Sequence, residues 1–186
     1  MSTVYQELDE KLIGFIRRQK IFFVATAALS ERGSVNLSPK GYDSLAIIDK
    51  LTVAYVDLGG SGAETLAHLR ENGRITLMFC AFEGAANILR LYGRGEVCAF
   101  DQPSFAAKMK MFPAFTRARS VITVAIERIA DSCGWGVPFF DYRAERDQLR
   151  RYVVSRSDED WAARRYDSNA TSIDGLPALT PHPAGG

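Results

Sequence analysis

The chain has 186 residues, 47% hydrophobic and 24% charged, and its 23 basic and 22 acidic side chains leave a formal net charge of +1. A chain of this length buries about 70% of its unfolded surface without staples, so one domain is expected. A near-neutral balance steers neither nucleic acid nor an anionic membrane toward the surface, so neither is an expected partner.

Cys80, Cys98 and Cys133 are odd in number and lack C-x-x-C spacing, which points to a reducing compartment and away from structural zinc. The N-terminal stretch has no basic-then-apolar leader pattern, and no apolar run reaches membrane-spanning length. A cytoplasmic location is expected.

Tyr5, Leu8, Leu12, Phe15 and Ile16 recur at helical spacing, which predicts an amphipathic helix over 4–19. Residues 21–27 (IFFVATA) are short enough for a buried strand; Glu31-Arg32-Gly33 is a turn, and 34–37 opens the second strand of a hairpin. Runs 45–49 and 51–57 pair about Asp49-Lys50. Gly59-Gly60-Ser61-Gly62 breaks the pattern, 63–72 is helical with Leu66 and Leu69 inward, and Gly73 supplies the stop. Strands follow over 75–82 and 88–98, the second bulged at Gly93 and Gly95. Asp101 can cap a short helix with Pro103 in its first turn, ending near Met111. Residues 120–129 (SVITVAIERI) are apolar on both faces, as suits a strand buried on parts of both sides. Helices are predicted over 144–152 and 158–166, and the tail from Asp167 is polar and rich in Pro and Gly.

Six or seven strands with short interspersed helices favour a closed antiparallel sheet over a βαβ repeat, an α+β barrel. The expected division is a barrel over 1–130, with a helical extension and tail over 131–186 packing on the same domain.

Two stretches carry candidate chemistry. In Asn36-Leu37-Ser38-Pro39-Lys40-Gly41 a strand ends in a hydroxyl, a cation and a glycine. A phosphate dianion wants that combination, with Pro39 fixing one φ and Gly41 admitting close approach. The plainer alternative is a strand-ending turn with a solvated lysine. The second stretch, Asp57-Leu58-Gly59-Gly60-Ser61-Gly62-Ala63-Glu64-Thr65, is a glycine-rich loop opening a helix, a natural anion site. It also matches a capping box, Ser61 on the Glu64 amide and Glu64 back on the cap, in which case Glu64 repels a phosphate unless turned outward. It is neither a Rossmann fingerprint nor a Walker loop.

These stretches, with Val53-Ala54-Tyr55-Val56-Asp57, then Leu69-Arg70-Glu71-Asn72-Gly73-Arg74-Ile75, then Arg90-Leu91-Tyr92-Gly93-Arg94-Gly95-Glu96-Val97, occur in an order and spacing that resembles the pyridoxamine 5′-phosphate oxidase family. The likeness is greatest to its FMN-binding, functionally undefined branch. It covers roughly residues 5–130, and the tail over 169–179 shares it. The resemblance implies a split β-barrel homodimer with FMN in clefts at the dimer interface and small-molecule redox chemistry. It places Ser38, Lys40, Ser61 and Thr65 at the flavin phosphate, and Asn36, Tyr55 and Asp57 along the ribityl chain or ring. The authentic oxidase's compact Arg-x-Val-x-x-Lys strand is absent, because Arg32 and Lys40 lie too far apart, and its C-terminal Arg-x-His pair has no counterpart. The resemblance therefore stops short of the namesake substrate. Alternatives are a flavin-storage module without turnover and a haem-handling split barrel.

Residues 133–140 form an aromatic loop with two glycines, either covering the flavin ring or, as the favoured expectation, a hydrophobic plug for the barrel or dimer. Arg74, Arg90 and Arg94 are expected to be solvated. His68 and His182 are far apart, which disfavours metal or haem ligation, and His68 is expected on a helix surface. Lys108, Lys110, Arg117 and Arg119 read as the solvated face of an amphipathic helix.

Overall fold

A computed structural model describes residues 2–181. One antiparallel sheet dominates, made of β1 (Val4–Tyr5), β2 (Phe22–Ala27), β3 (Val35–Lys40), β4 (Leu45–Asp49), β5 (Thr52–Asp57), β6 (Arg74–Cys80), β7 (Ile88–Ala99) and β8 (Ser120–Ser132). Its order is β3-β2-β6-β7-β8-β5-β4, with β1 paired to β8. The helices are α1 (Glu10–Arg18), α2 (Glu64–Asn72), α3 (Phe105–Met109), α4 (Gln148–Val154) and α5 (Asp158–Asn169). The α+β expectation holds, but the sheet is open: β3 and β4 are edges, joined by no ladder.

The first helix starts later than its periodicity predicts. Asp9 caps it by accepting from the Leu12 amide at 2.7 Å. Upstream, Val4 and Tyr5 pair with Ala130 and Ile129 of β8, and the Tyr5 hydroxyl donates to Asp131 at 2.6 Å, which holds this segment extended. At the other end of the sheet Pro39 is tolerated in β3 because that strand is an edge. The expected bulge lies across the ladder from Gly93 and not in β7: Tyr92 and Gly93 pair with Arg128 and Ile126, which leaves Glu127 of β8 as the extra residue, and Gly93 lies so close to the Ala125 carbonyl that a Cβ would collide with it. α3 begins after Ser104 rather than Asp101 and spans only five residues, so the basic cluster does not share one helix.

The core collects Leu12, Phe15 and Ile16 of α1, Leu66 and Leu69 of α2, and the inward side chains of β2, β5, β6, β7 and β8. Val121, Ile122 and Val124 at the start of β8 are all fully buried, so this strand is covered on both faces there as expected. Each such side chain contributes about 1.5–3 kcal/mol on removal from water. α2 ends at Gly73, whose φ of 71° and amide bond to the Leu69 carbonyl at 3.0 Å make the left-handed stop. Among the described residues no helix is long and apolar enough to cross a membrane.

Candidate functional site

The site begins with a polarity inversion in β3. Pairing sets Asn36 opposite Thr26, Ser38 opposite Val24 and Lys40 opposite Phe22, so these polar residues share the side on which β2 buries Phe22, Val24 and Thr26. Val35 and Leu37, on the other face, are 77% and 62% exposed. An edge strand with polar residues inward and apolar residues outward inverts the usual arrangement.

The inward row is tied to α2 and β5 by side chains. Asn36 Nδ2 donates to Thr65 Oγ1 at 2.9 Å and to Thr26 Oγ1 at 3.1 Å, while Ser38 Oγ donates to Asn36 Oδ1 at 3.0 Å. Lys40 Nζ reaches Asp57 Oδ1 at 3.1 Å, and the other Asp57 oxygen takes Arg119 Nε at 2.9 Å and Nη2 at 2.6 Å. Burial would raise the Asp57 carboxyl, but the Lys40 and Arg119 charges outweigh it and hold it well below the usual carboxylate range. Two cations on one carboxylate leave net positive charge at the mouth of the barrel.

At the start of α2 the expected capping box is not formed. The N-cap is Ala63, with no side-chain bond, and Ser61 stands exposed in the preceding loop. Glu64 is occupied elsewhere, its Oε1 accepting from the Ile173 amide at 3.2 Å. Among the described residues the first-turn amides of α2, at the positive end of the helix dipole, have no side-chain acceptor.

The seven candidate residues do not stand alike. Asn36, Ser38 and Thr65 bond with Thr26 in one polar group, and Lys40 and Asp57 with Arg119 in a second, the two sharing the inward face of β3 through Ser38 and Lys40. Ser61 lies in the loop between Asp57 and α2, with its hydroxyl unbonded among the described residues. Tyr55 is 0% exposed, edge-on to Phe22 at 5.7 Å, and its hydroxyl has no partner among the described residues. Burial pushes that phenol well above its usual value, Asp57 adds to the rise, and Arg119 opposes it. Gly41 is not left-handed; Tyr42 and Asp43, with φ of 64° and 52°, make the turn out of β3.

Several expectations are overturned. Arg119 is no solvated helix residue; at 3% exposure it clamps Asp57 and donates to the Gly62 carbonyl at 2.7 Å. The available signal was Asp57 itself, since an acid at the end of a buried strand requires a cation. His68 is not on a helix surface: it is 0% exposed, with Nδ1 3.0 Å from Thr26 Oγ1 beneath the polar group, so its ring is closed to a haem iron. His182 lies outside the described residues. The aromatic loop does not plug this chain's barrel: Trp135 is 86% exposed, and Phe140 stacks on Phe82 with centroids 5.3 Å apart. That stack helps to form a cleft of about 730 Å³, lined by Phe23, Lys40, Phe82, Phe140 and Tyr142 among others. The size falls within the range of small-molecule sites.

The model of the family described as pyridoxamine 5′-phosphate oxidase matches residues 8–133. The pyridoxamine 5′-phosphate oxidase family protein ustO of Aspergillus flavus is 35% identical over 198 residues, covering 96% of this chain and 78% of the relative. Among solved structures, a variant of HupZ from Group A Streptococcus aligns with a TM-score of 0.51 at 22% identity, over 67% of this chain and 98% of that one. A Clostridium acetobutylicum protein related to general stress protein 26, of the pyridoxinephosphate oxidase family, aligns with a TM-score of 0.51 at 15% identity, over 76% and 99%. These structural likenesses establish the shared split-barrel-like fold.

Proposed function

This chain belongs to the pyridoxamine 5′-phosphate oxidase family, and we propose that it binds FMN at the mouth of its barrel and works as a homodimeric FMN-dependent oxidoreductase. The observation that carries the proposal is the inverted strand β3, whose inward Asn36, Ser38 and Lys40 converge with Thr65 and the uncapped start of α2. A cation, hydroxyls and free helix amides are the donors that a phosphate monoester requires.

In this reading Lys40 carries the charge that meets the phosphate, and Ser38, Ser61 and Thr65 supply hydroxyl donors. Asn36 orients Thr65. Asp57, locked by Arg119, fixes the Lys40 ammonium, and Tyr55 supports this floor from the core side. The cleft beside Lys40, with Phe140 and Tyr142, offers aromatic faces to the planar ring system and its substrate. Bound FMN supplies reversible electron transfer, which the side chains present do not. The exposed Val35 and Leu37 are the natural contact for a second copy, since an edge strand with an apolar outer face demands a cover. The extension from 131 onward belongs to the same domain, and the free Cys80, Cys98 and Cys133 suit a reducing cytoplasmic setting.

The test is spectroscopic. Purified protein mixed with FMN should show perturbed, saturable flavin absorbance near stoichiometric loading, and colourless protein with no spectral change refutes the reading. Reduction of the bound flavin by a nicotinamide nucleotide, with reoxidation by an acceptor, separates an oxidoreductase from a storage protein. A Soret band on adding haem, with no flavin response, would transfer the assignment to haem handling.

A further inference from the structure

The C-terminal helices close a second cavity against the glycine loop. It measures about 300 Å³ and is lined by Leu58, Ser61, Tyr152, Trp161, Arg164 and Arg165 among others. We propose that this cavity is a second anion site, bordering the flavin phosphate site at Ser61 but charged by Arg164 and Arg165, that takes a small aromatic phosphate or carboxylate.

The charge on Arg165 is the first argument. This side chain is 8% exposed, yet it takes part in no ion pair among the described residues. It donates to the Arg117 carbonyl and lies 4.7 Å over the Phe100 ring, contacts that hold a guanidinium without neutralising it. The nearby acids are committed: Asp57 to Lys40 and Arg119, and Asp158 to Arg117. Burial, with Arg119 and Arg117 close by, brings the Arg165 pKa down to about 10. A buried cation beside other cations, opening on a cavity, is a place where an anion is missing.

The walls supply the rest. The amides of Gly59, Gly60 and Ser61 donate to no protein acceptor among the described residues, and Gly59 turns the loop at φ 84°. Asn169 holds this loop in place by donating to the Gly60 carbonyl at 3.1 Å. Tyr152 and Trp161, edge to face at 5.3 Å, offer an aromatic wall. Leu58 and Leu149 are shared with an adjoining apolar cavity of about 150 Å³ walled by Phe115, Val153 and Val154. The combination suits an acidic head on Arg164 and Arg165 and an apolar body toward Leu149. Both arginines lie beyond the residues matched by the family model, whereas the glycine loop that faces them lies within it.

Trp161 reports on the cavity directly. With Trp135→Phe it is the remaining tryptophan of the two in the chain, and its fluorescence can be followed during titration with phenyl phosphate. A saturable change is expected in the flavin-free protein, weakened at least tenfold in Arg165→Gln and measurably in Arg164→Gln. Arg164 is exposed, so that variant decides the matter should Arg165→Gln fail to fold. Protein saturated with FMN should still bind phenyl phosphate, within a few-fold of the affinity of the flavin-free protein, because Ser61 alone borders both sites. No saturable change, indifference to Arg164→Gln together with Arg165→Gln, or displacement by FMN each overturns the proposal; displacement would make the cavity part of the flavin site.

Discussion

Lys40 Nζ lies 3.1 Å from Asp57 Oδ1, although β3 and β5 stand near opposite ends of an open strand path. The contact bridges the gap that the ladders leave, and the Arg119 guanidinium on the far oxygen makes it a buried three-charge group. Structure and candidate site meet in this group, because the cation proposed to meet the phosphate is held by the acid that joins the two sides of the sheet.

Removing the shared acid should cost more than removing either end of the row. Asp57→Ala strands the buried Arg119 charge and is expected to destabilise the fold by about 3–5 kcal/mol. Lys40→Ala leaves Asp57 bonded to Arg119 and should cost about 1 kcal/mol. Urea unfolding of the two variants checks the order. Equal losses would mean that Asp57 is not the keystone.

Acid should act through the same carboxyl. The folded-state pKa of Asp57 is depressed below its ordinary value of about 4, so its contribution is fully present above that value. It is lost progressively as pH falls below about 4 toward the folded pKa, since the unfolded chain binds the proton more readily. Stability measured between pH 7 and pH 2 should fall less steeply in Asp57→Asn than in the parent protein. Parallel curves would assign the acid sensitivity to other groups.

Ser61→Ala separates a helix cap from a ligand contact. Loss of an N-cap hydroxyl costs about 1 kcal/mol, but here the cap position is Ala63 and Ser61 makes no cap bond. The variant should unfold within about 0.5 kcal/mol of the parent while binding FMN several-fold more weakly. A stability loss with unchanged FMN affinity reverses the assignment.

The outer face of β3 makes a prediction about assembly. Leu37→Glu places a charge on an exposed apolar row, so the single chain should fold normally while its dimer dissociates. Light scattering behind gel filtration gives the mass. A parent protein that is monomeric at tens of micromolar, or a variant that stays dimeric, moves the interface elsewhere.

Much of the fold was legible in the chain, and the losses share one cause. The strand runs and the Gly73 stop are local patterns, and Asn36, Ser38, Lys40 and Thr65 could be named as candidates because order and spacing survive without knowledge of contacts. The failures are long-range. Tyr5 is drawn into a strand by Asp131, 126 positions away, and the capping box is lost because Glu64 bonds Ile173, 109 positions away. Arg119 looked solvated because its partner Asp57 is 62 positions distant. His68 looked superficial because α2 has polar neighbours in sequence but is covered in space by β2 and the C-terminal tail. The sheet's openness was equally hidden, since local strand signals carry no information about which edges meet.

If the phosphate end of FMN rests on Lys40 and its neighbours, a flavin without a phosphate should bind far more weakly. Riboflavin is FMN without that phosphate, so the direct measurement is the ratio of riboflavin to FMN dissociation constants, by fluorescence titration, for the parent protein and Lys40→Ala. The parent should prefer FMN by at least a hundredfold, about 2.7 kcal/mol, and Lys40→Ala should lose most of that preference while binding riboflavin nearly as before. Equal affinity for the two flavins, or an undiminished preference in Lys40→Ala, contradicts that placement of the phosphate.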